Sequence, residues 1–326
     1  MKSKYRVKTR KNKSHRHRTR KLRKNKKSVR RKKGGESNSN SKNKNFMKVQ
    51  CAPKKNNEMQ EFSCYSKDAL LKMRDLWNKR HIDSPINSND PKEIWNNLKN
   101  KMEDACHSEA CWLKQKFMEN NLNDELLTYT FAPKSPVKWK ENHNTWLNST
   151  DIEKVMKQYE HAYPCFRFIG PTPIDFDKHI YDDKCVWDDL CTFDLAKFKK
   201  DGITKIGIIF NTDPHNKSGA HWISLFINLK KKFIFFFDSN GTKMPKEVEK
   251  FCNRVISQAL ILNIELTLEQ NAPFMHQEGN TECGMYSLYL IITLLQDKHP
   301  YTFFKSTKIS DEAVEKLRDR YYNNDL

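Results

Sequence analysis

The 326-residue chain has no CxxC pair, no apolar run of membrane-spanning length and no acidic side chain before Glu36. Each absence removes a class of protein. The longest nearly unbroken apolar run, Met285 to Leu295, is interrupted at Ser287 and falls well short of the ~20 residues a span requires, so no transmembrane helix is expected. Residues 1–33 carry charge without an apolar h-region, which argues against a secretory signal. The nine cysteines (Cys51, Cys64, Cys106, Cys111, Cys165, Cys185, Cys191, Cys252 and Cys283) are an odd, scattered set. Neither a disulfide framework nor a zinc site is expected from them. The reading is a reducing compartment in which at least one thiol is functional, with no metal and no organic cofactor.

What is present is unevenly distributed. The formal charge of +20 comes from 60 Lys plus Arg against 40 Asp plus Glu. Residues 1–45 hold 21 of the basic side chains and one acid, leaving 39 of each sign in the other 281 residues. This is a neutral body with a cationic arm. Nineteen Lys or Arg in residues 1–33 cannot pack a core, and Gly34 to Asn45 reads as a Gly, Ser and Asn linker, so 1–45 is expected to be a disordered basic arm. Such an arm attracts nucleic acid in a steeply salt-dependent way, and runs such as Arg30 to Lys33 also serve as nuclear localisation signals. A solvated solubility tail is the plainer reading of the same charge.

Helical spacing dominates the next stretch: Ala69, Leu70, Met73, Leu76 and Trp77, then Ile94, Leu98 and Met102 after Pro91, then a segment around Ala110 to Met118. Residues 46–140 are expected to be a helical N-terminal subdomain, and 141–326 a second domain. Ser149 or Thr150 can cap a helix whose apolar face is Ile152, Val155, Met156 and Tyr159. After Gly202 the pattern changes to short β-branched or aromatic runs, 205–210, 221–229 and 233–238, with a further strand at 264–268. Strict alternation of Ile223, Leu225, Ile227 and Leu229 suits a sheet buried on one face, and Lys230 to Lys232 make the second and third runs a hairpin. Helices are expected at 244–262 and 283–296. The body is α+β.

The residues that can carry chemistry lie in the last 110. A nucleophilic cysteine is favoured at a helix N-terminus, where oriented amides stabilise the thiolate, and Cys283-Gly284 opens the last apolar helix. It needs a histidine base, and that base needs an acceptor to fix its tautomer. Hairpin pairing makes His221 and Asp238 neighbours. Gln277 and the Cys283 backbone N–H can supply oxyanion donors from one turn. Asn240 points to the same side as Asp238 and is held in reserve as the third member. Taken singly each residue has a plainer reading: a buried Cys is usually a small hydrophobe, and Asp-Ser-Asn-Gly is first of all turn chemistry.

Their joint order decides otherwise. His221-Trp222, Asp238-Ser239 seventeen residues on, Gln277 six residues ahead of Cys283-Gly284, and Trp146-Leu147-Asn148 upstream together resemble the ubiquitin-like-protein protease family, the clan joining SUMO proteases with the adenovirus protease. The resemblance spans roughly 146–296 and implies a papain-like, adenain-type core of mixed sheet flanked by helices. It implies Cys283 as nucleophile, His221 as base, Asp238 as its orienter and Gln277 as oxyanion donor. Trp146 and Trp222 become the walls of a narrow tunnel that admits only Gly-Gly. Ser149 and Thr281-Glu282 depart from the family pattern. The helical segment, Cys111-Trp112 and the Asn- and Lys-rich composition look like the thiol proteases of giant nucleocytoplasmic DNA viruses. The implied function is virion maturation by cleavage of a protein substrate at Gly-Gly-X, in the virion and host cytoplasm. A SUMO or ubiquitin-like isopeptidase, with a nuclear location, is the alternative. A catalytically silent, nucleic-acid-associated virion protein is a further one. Gly34-Gly35 is the chain's only Gly-Gly, and cleavage after it would release the arm.

Overall fold

A computed structural model describes residues 46–54, 60–119, 124–181 and 184–324. The basic arm and Gly34-Gly35 lie outside them. The described residues fall within one compact unit, and among them no helix is long and apolar enough to cross a membrane.

The first part is helical: α1 (Lys67–Arg80), α2 (Pro91–Lys101), α3 (Glu109–Trp112) and α4 (Asp124–Tyr129). Ser66 caps α1 and Asp90 caps α2, with Pro91 in the first turn, where its missing N–H costs nothing. Leu70, Met73, Ile94, Leu98 and Trp112 pack in a core of their own. At its centre the buried Glu109 carboxylate accepts from Ser63 Oγ, the Cys64 N–H and Trp95 Nε1, so the buried charge is answered by three donors.

The second part alternates. It runs α5 (Ser149–Ala162), β1 (Phe166–Pro173), β2 (His179–Tyr181), β3 (Lys184–Cys185), α6 (Asp188–Cys191), α7 (Leu195–Lys200), β4 (Lys205–Asn211), β5 (Trp222–Asn228), β6 (Phe233–Phe237), α8 (Lys246–Ile261), β7 (Thr267–Gln270) and α9 (Cys283–Leu295). Three short helices follow: α10 (Phe303–Ser306), α11 (Asp311–Glu315) and α12 (Arg318–Tyr321). The main sheet has the order β1-β4-β5-β6-β7. Its outer pairs are parallel and its inner two antiparallel, which gives the mixed sheet flanked by helices that the motifs imply.

Several expectations are corrected. The cap of α5 is Asn148, not Ser149 or Thr150: its side chain accepts from the Asp151 N–H while Asp151 accepts from the Asn148 N–H, a reciprocal capping box. Strand β1 lacks a strand pattern, since FRFIGPTP carries a glycine and two prolines, yet it pairs along the sheet edge. Strand β5 is buried on both faces, not one. Ile223, Leu225 and Ile227 face the core under α8, while Trp222 and Phe226 face α9. Alternation fails as a signal here because helices cover both sides. Finally, the structure joins Cys51 to Cys64, Cys106 to Cys111 and Cys185 to Cys191, against the expectation of no disulfides. The partners are 13, 5 and 6 residues apart, separations that the spacing rules for zinc or redox motifs do not detect.

Helix α9 runs through the centre of this domain, with twelve of its thirteen residues buried. It lies close against β4 because Gly207 has no side chain: a Cβ there would stand 2.8 Å from Ile291 Cγ2 and 3.1 Å from the Phe166 ring. That approach fixes where the N-terminus of α9, and hence Cys283, meets the sheet.

Candidate active site

The β5–β6 ladder, with Ser224 opposite Phe237, brings the residue ahead of β5 beside the residue after β6. His221 Nε2 lies 2.7 Å from Asp238 Oδ1. Asp238 is almost fully buried, and its backbone is clamped by Asn271, which accepts from the Asp238 N–H and donates to its carbonyl. Asn240 comes within 3.5 Å of His221 Nε2, but its backbone N–H donates to the same Asp238 oxygen. The carboxylate therefore occupies the orienting position, with Asn240 beside it.

Cys283 is the first residue of α9 and is 2% exposed. Its thiol acts on the His221 ring; since Asp238 takes Nε2, Nδ1 is the nitrogen left for the thiol. Burial disfavours charge on this ring, but its interactions with Asp238 and Cys283 outweigh it, pushing the imidazole up to about 9. The other cysteines offer no such arrangement. Six are paired, and burial pushes Cys252 up to about 12 within the core under α8.

Gln277 is held on the Asp238-Ser239 turn. Ser239 Oγ donates to Gln277 Oε1 at 2.8 Å, the Gln277 N–H donates to the Ser239 carbonyl, and Gln277 Nε2 donates to the Gly279 carbonyl. Holding Oε1 fixes which end of the amide is the donor, and Nε2 keeps a second N–H for a ligand. The neighbouring His276 is fully buried, donates through Nε2 to the Phe304 carbonyl and accepts at Nδ1 from the Ile309 N–H; burial lowers its pKa and keeps it neutral.

Trp146, 48% exposed, and Trp222 line one cleft of about 650 Å³ together with His221. Trp222 is the fixed wall: its Nε1 donates to the Leu147 carbonyl at 2.9 Å. Gly284 permits this contact, since a Cβ there would lie 3.1 to 3.3 Å from Leu147 and Trp222.

A thiol at a helix N-terminus, an imidazole held by a buried carboxylate and a positioned amide are the parts of cysteine-protease chemistry. Residues 150–326, more than half of the sequence, match the Ulp1 protease family, C-terminal catalytic domain. The chain belongs to the Ulp1 protease family. It is a cysteine protease. A thiol protease of Acanthamoeba polyphaga mimivirus is 27% identical over 300 residues, covering 84% of this chain and 93% of that protein. The SUMO-1 cysteine protease of African swine fever virus (isolate Pig/Kenya/KEN-50/1950) is 27% identical over 257 residues, covering 74% of this chain and 91% of its own length. These matches reach beyond the Ulp1 catalytic domain into the helical segment. The fold is that of the African swine fever virus protease crystal structure, with a TM-score of 0.61, 24% identity and coverage of 85% and 96% of the two chains.

Some residues that shape the Ulp1-type site escaped the sequence reading because they lie far from its motifs. Arg318 of α12 is fully buried, bonds both carboxylate oxygens of Glu282, donates to the Thr145 carbonyl and stacks over Trp139 at 4.7 Å. One guanidinium thus ties the residue before Trp146 to the residue before Cys283. Asp311 Oδ2 accepts from the Glu278 and Gly279 N–H groups and so holds the Gln277 turn, while Asp311 Oδ1 accepts from Tyr286 Oη. No pattern marks them in the sequence, since Asp319 and Arg320 stand beside Arg318 and Glu312 beside Asp311.

Arg318→Met should cost about 3–5 kcal/mol of stability in denaturant unfolding, because Glu282 is left charged and buried, and Arg318→Met with Glu282→Leu should recover much of it; equal loss in both variants would contradict the pairing. The charged imidazole is favoured below its raised pKa and lost as pH rises through about 9. Peptidase kcat/KM should therefore fall along an alkaline limb near that value. Asp238→Asn should move the limb toward the ordinary histidine range and lower the rate by roughly 10² to 10⁴, whereas an unmoved limb would remove Asp238 from the orienting role.

Proposed function

We propose that the protein is an endopeptidase that cuts after Gly-Gly and matures virion structural proteins. The observation that carries this reading is the joint placement of Trp146, Trp222 and His221 on one cleft, with Cys283 a partner of the same His221 ring. A substrate strand laid between two indoles is best accommodated when the residues ahead of the scissile bond have no Cβ. Gly-Gly meets that condition.

In this mechanism Nδ1 of His221 takes the Cys283 proton, and the thiolate adds to the carbonyl carbon of the second glycine, whose bond to the next residue's nitrogen is the one that breaks. The oxyanion is met by the Cys283 N–H, one of the N-terminal amides that a helix leaves without intrahelical acceptors, and by Gln277 Nε2. Imidazolium then gives its proton to the leaving amine, and water, deprotonated by the same ring, hydrolyses the thioester. Asp238 keeps the ring oriented throughout. Residues 1–33 would hold the enzyme near nucleic acid, in the virion and the host cytoplasm.

Deconjugation of a SUMO-like protein is the second reading, favoured by the name of the African swine fever virus relative and by the same cleft chemistry; it would place the enzyme in the nucleus. A panel of Gly-Gly-X, Ala-Gly-X and Gly-Ala-X peptides, run beside a SUMO conjugate, separates the two. Cleavage of Gly-Gly-X with at least about tenfold loss on either alanine replacement, abolished in Cys283→Ala, is expected. Cleavage of the conjugate without any peptide turnover would reverse the ranking, and indifference to the alanine replacements would overturn Gly-Gly selection.

A further inference from the structure

We propose that His179, Cys185 and Cys191 form a binding site for a soft divalent cation of the zinc class in the reduced protein. Nothing in the catalytic machinery uses these residues. Their three donor atoms lie within 4.8 Å of one another, and among the described residues no other group of three His, Cys, Asp or Glu donors gathers in this way. His179 Nε2 stands 3.7 Å from Cys185 Sγ. On a tetrahedral zinc ion with ordinary Zn–N and Zn–S bonds, a nitrogen and a sulfur ligand are separated by about 3.6 Å. Among the described residues the other two cysteine pairs have no third donor of this kind.

The local fold gives the site a purpose. Strands β2 and β3 form a two-stranded sheet of three and two residues, separate from the main sheet, and β2 is exposed along its whole length. A ribbon of that size is at best marginal in water and needs a fastening. Cys185 ends β3, Cys191 ends α6 and His179 starts β2, so one ion fastens all three elements. Asp188 adds support from behind, its Oδ1 accepting the Cys185 N–H at 3.1 Å.

The disulfide and the cation exclude each other. With Cys185 and Cys191 joined, a thiol reductant delivers two electrons and two protons, the S–S bond breaks and the reductant becomes the disulfide. The cation then displaces the two thiol protons and takes the lone pair of neutral His179 Nε2, with water as fourth ligand. Between the two cysteines lie Val186 and Trp187, which line the same cleft as Trp146 and His221. The fastening therefore sets part of the cleft's lining while leaving Cys283 untouched. That consequence for substrate rests on the cleft reading above; the metal site does not.

The full-length protein, purified under a dithiol reductant, should carry one zinc per chain by elemental analysis and show thiolate-to-cobalt charge-transfer absorption when loaded with Co²⁺. Cys185→Ser with Cys191→Ser should lose both signals. His179→Gln keeps both sulfurs and the disulfide, and should weaken zinc binding by roughly tenfold or more. Removal of zinc by a chelator should raise KM with little change in kcat. Zinc content unchanged in the double variant, alkylation of both reduced cysteines in a zinc-free wild-type protein exposed to excess zinc, or a Cys185–Cys191 bond that survives the reductant would each overturn the proposal. Loss of zinc without loss of peptidase activity would leave the site standing and remove only its influence on the cleft.

Discussion

Everything at the catalytic centre depends on the register of β5 against β6. Ser224 stands opposite Phe237, so His221 and Asp238 close the open end of the ladder within 2.7 Å of each other. A slip of one residue would exchange the two faces of each strand, sending Trp222 and Phe226 away from α9 and turning the imidazole from the thiol. Register is fixed because both faces are buried, one under α8 and one under α9, and each face admits only its own set of side chains. The same packing that holds the sheet therefore positions the base. Gly207 completes the arrangement by letting α9 descend onto β4 and carry Cys283 to the end of the ladder.

Around this frame the polar groups are arranged in pairs that hold chain segments rather than substrate. Asn271 fixes the backbone of Asp238, Ser239 fixes the amide of Gln277, and Asp311 holds the turn after it. Arg318 joins the Trp146 side of the cleft to the nucleophile side through Glu282 and the Thr145 carbonyl. These are low-dielectric interactions, so each is strong when complete and costly when one partner is removed. Their effect is preorganisation: donors and acceptors stand in place before substrate arrives, which is where an enzyme of this type gains its rate.

The sequence made the centre legible and left its supports hidden. His221-Trp222, Asp238-Ser239, Gln277 and Cys283-Gly284 lie near the ends of strongly patterned elements, and their order alone pointed to the Ulp1 clan. The strands at 205–210 and 233–238 and the helix from 283 were legible because aromatic and β-branched runs admit few alternatives. Arg318 and Asp311 were not, because they act across more than thirty residues of chain and sit in short helices without periodicity. Strand β1 was hidden by its prolines, and β5 was misjudged because alternation reports burial on one face only when the other meets water. The cysteine pairs are hidden for a different reason: α6 returns Cys191 to Cys185, and the β2–β3 pairing sets His179 beside them.

The central claim is that the β5–β6 ladder and the start of α9 converge on one activated thiol. Peptide mapping by mass spectrometry after treatment with a Gly-Gly peptide bearing a thiol-reactive electrophile tests this most directly. The account predicts one adduct, on Cys283, lost in His221→Ala, with Cys165 and the buried Cys252 unmodified. An adduct on Cys165, or equal labelling of Cys283 with and without His221, would contradict it.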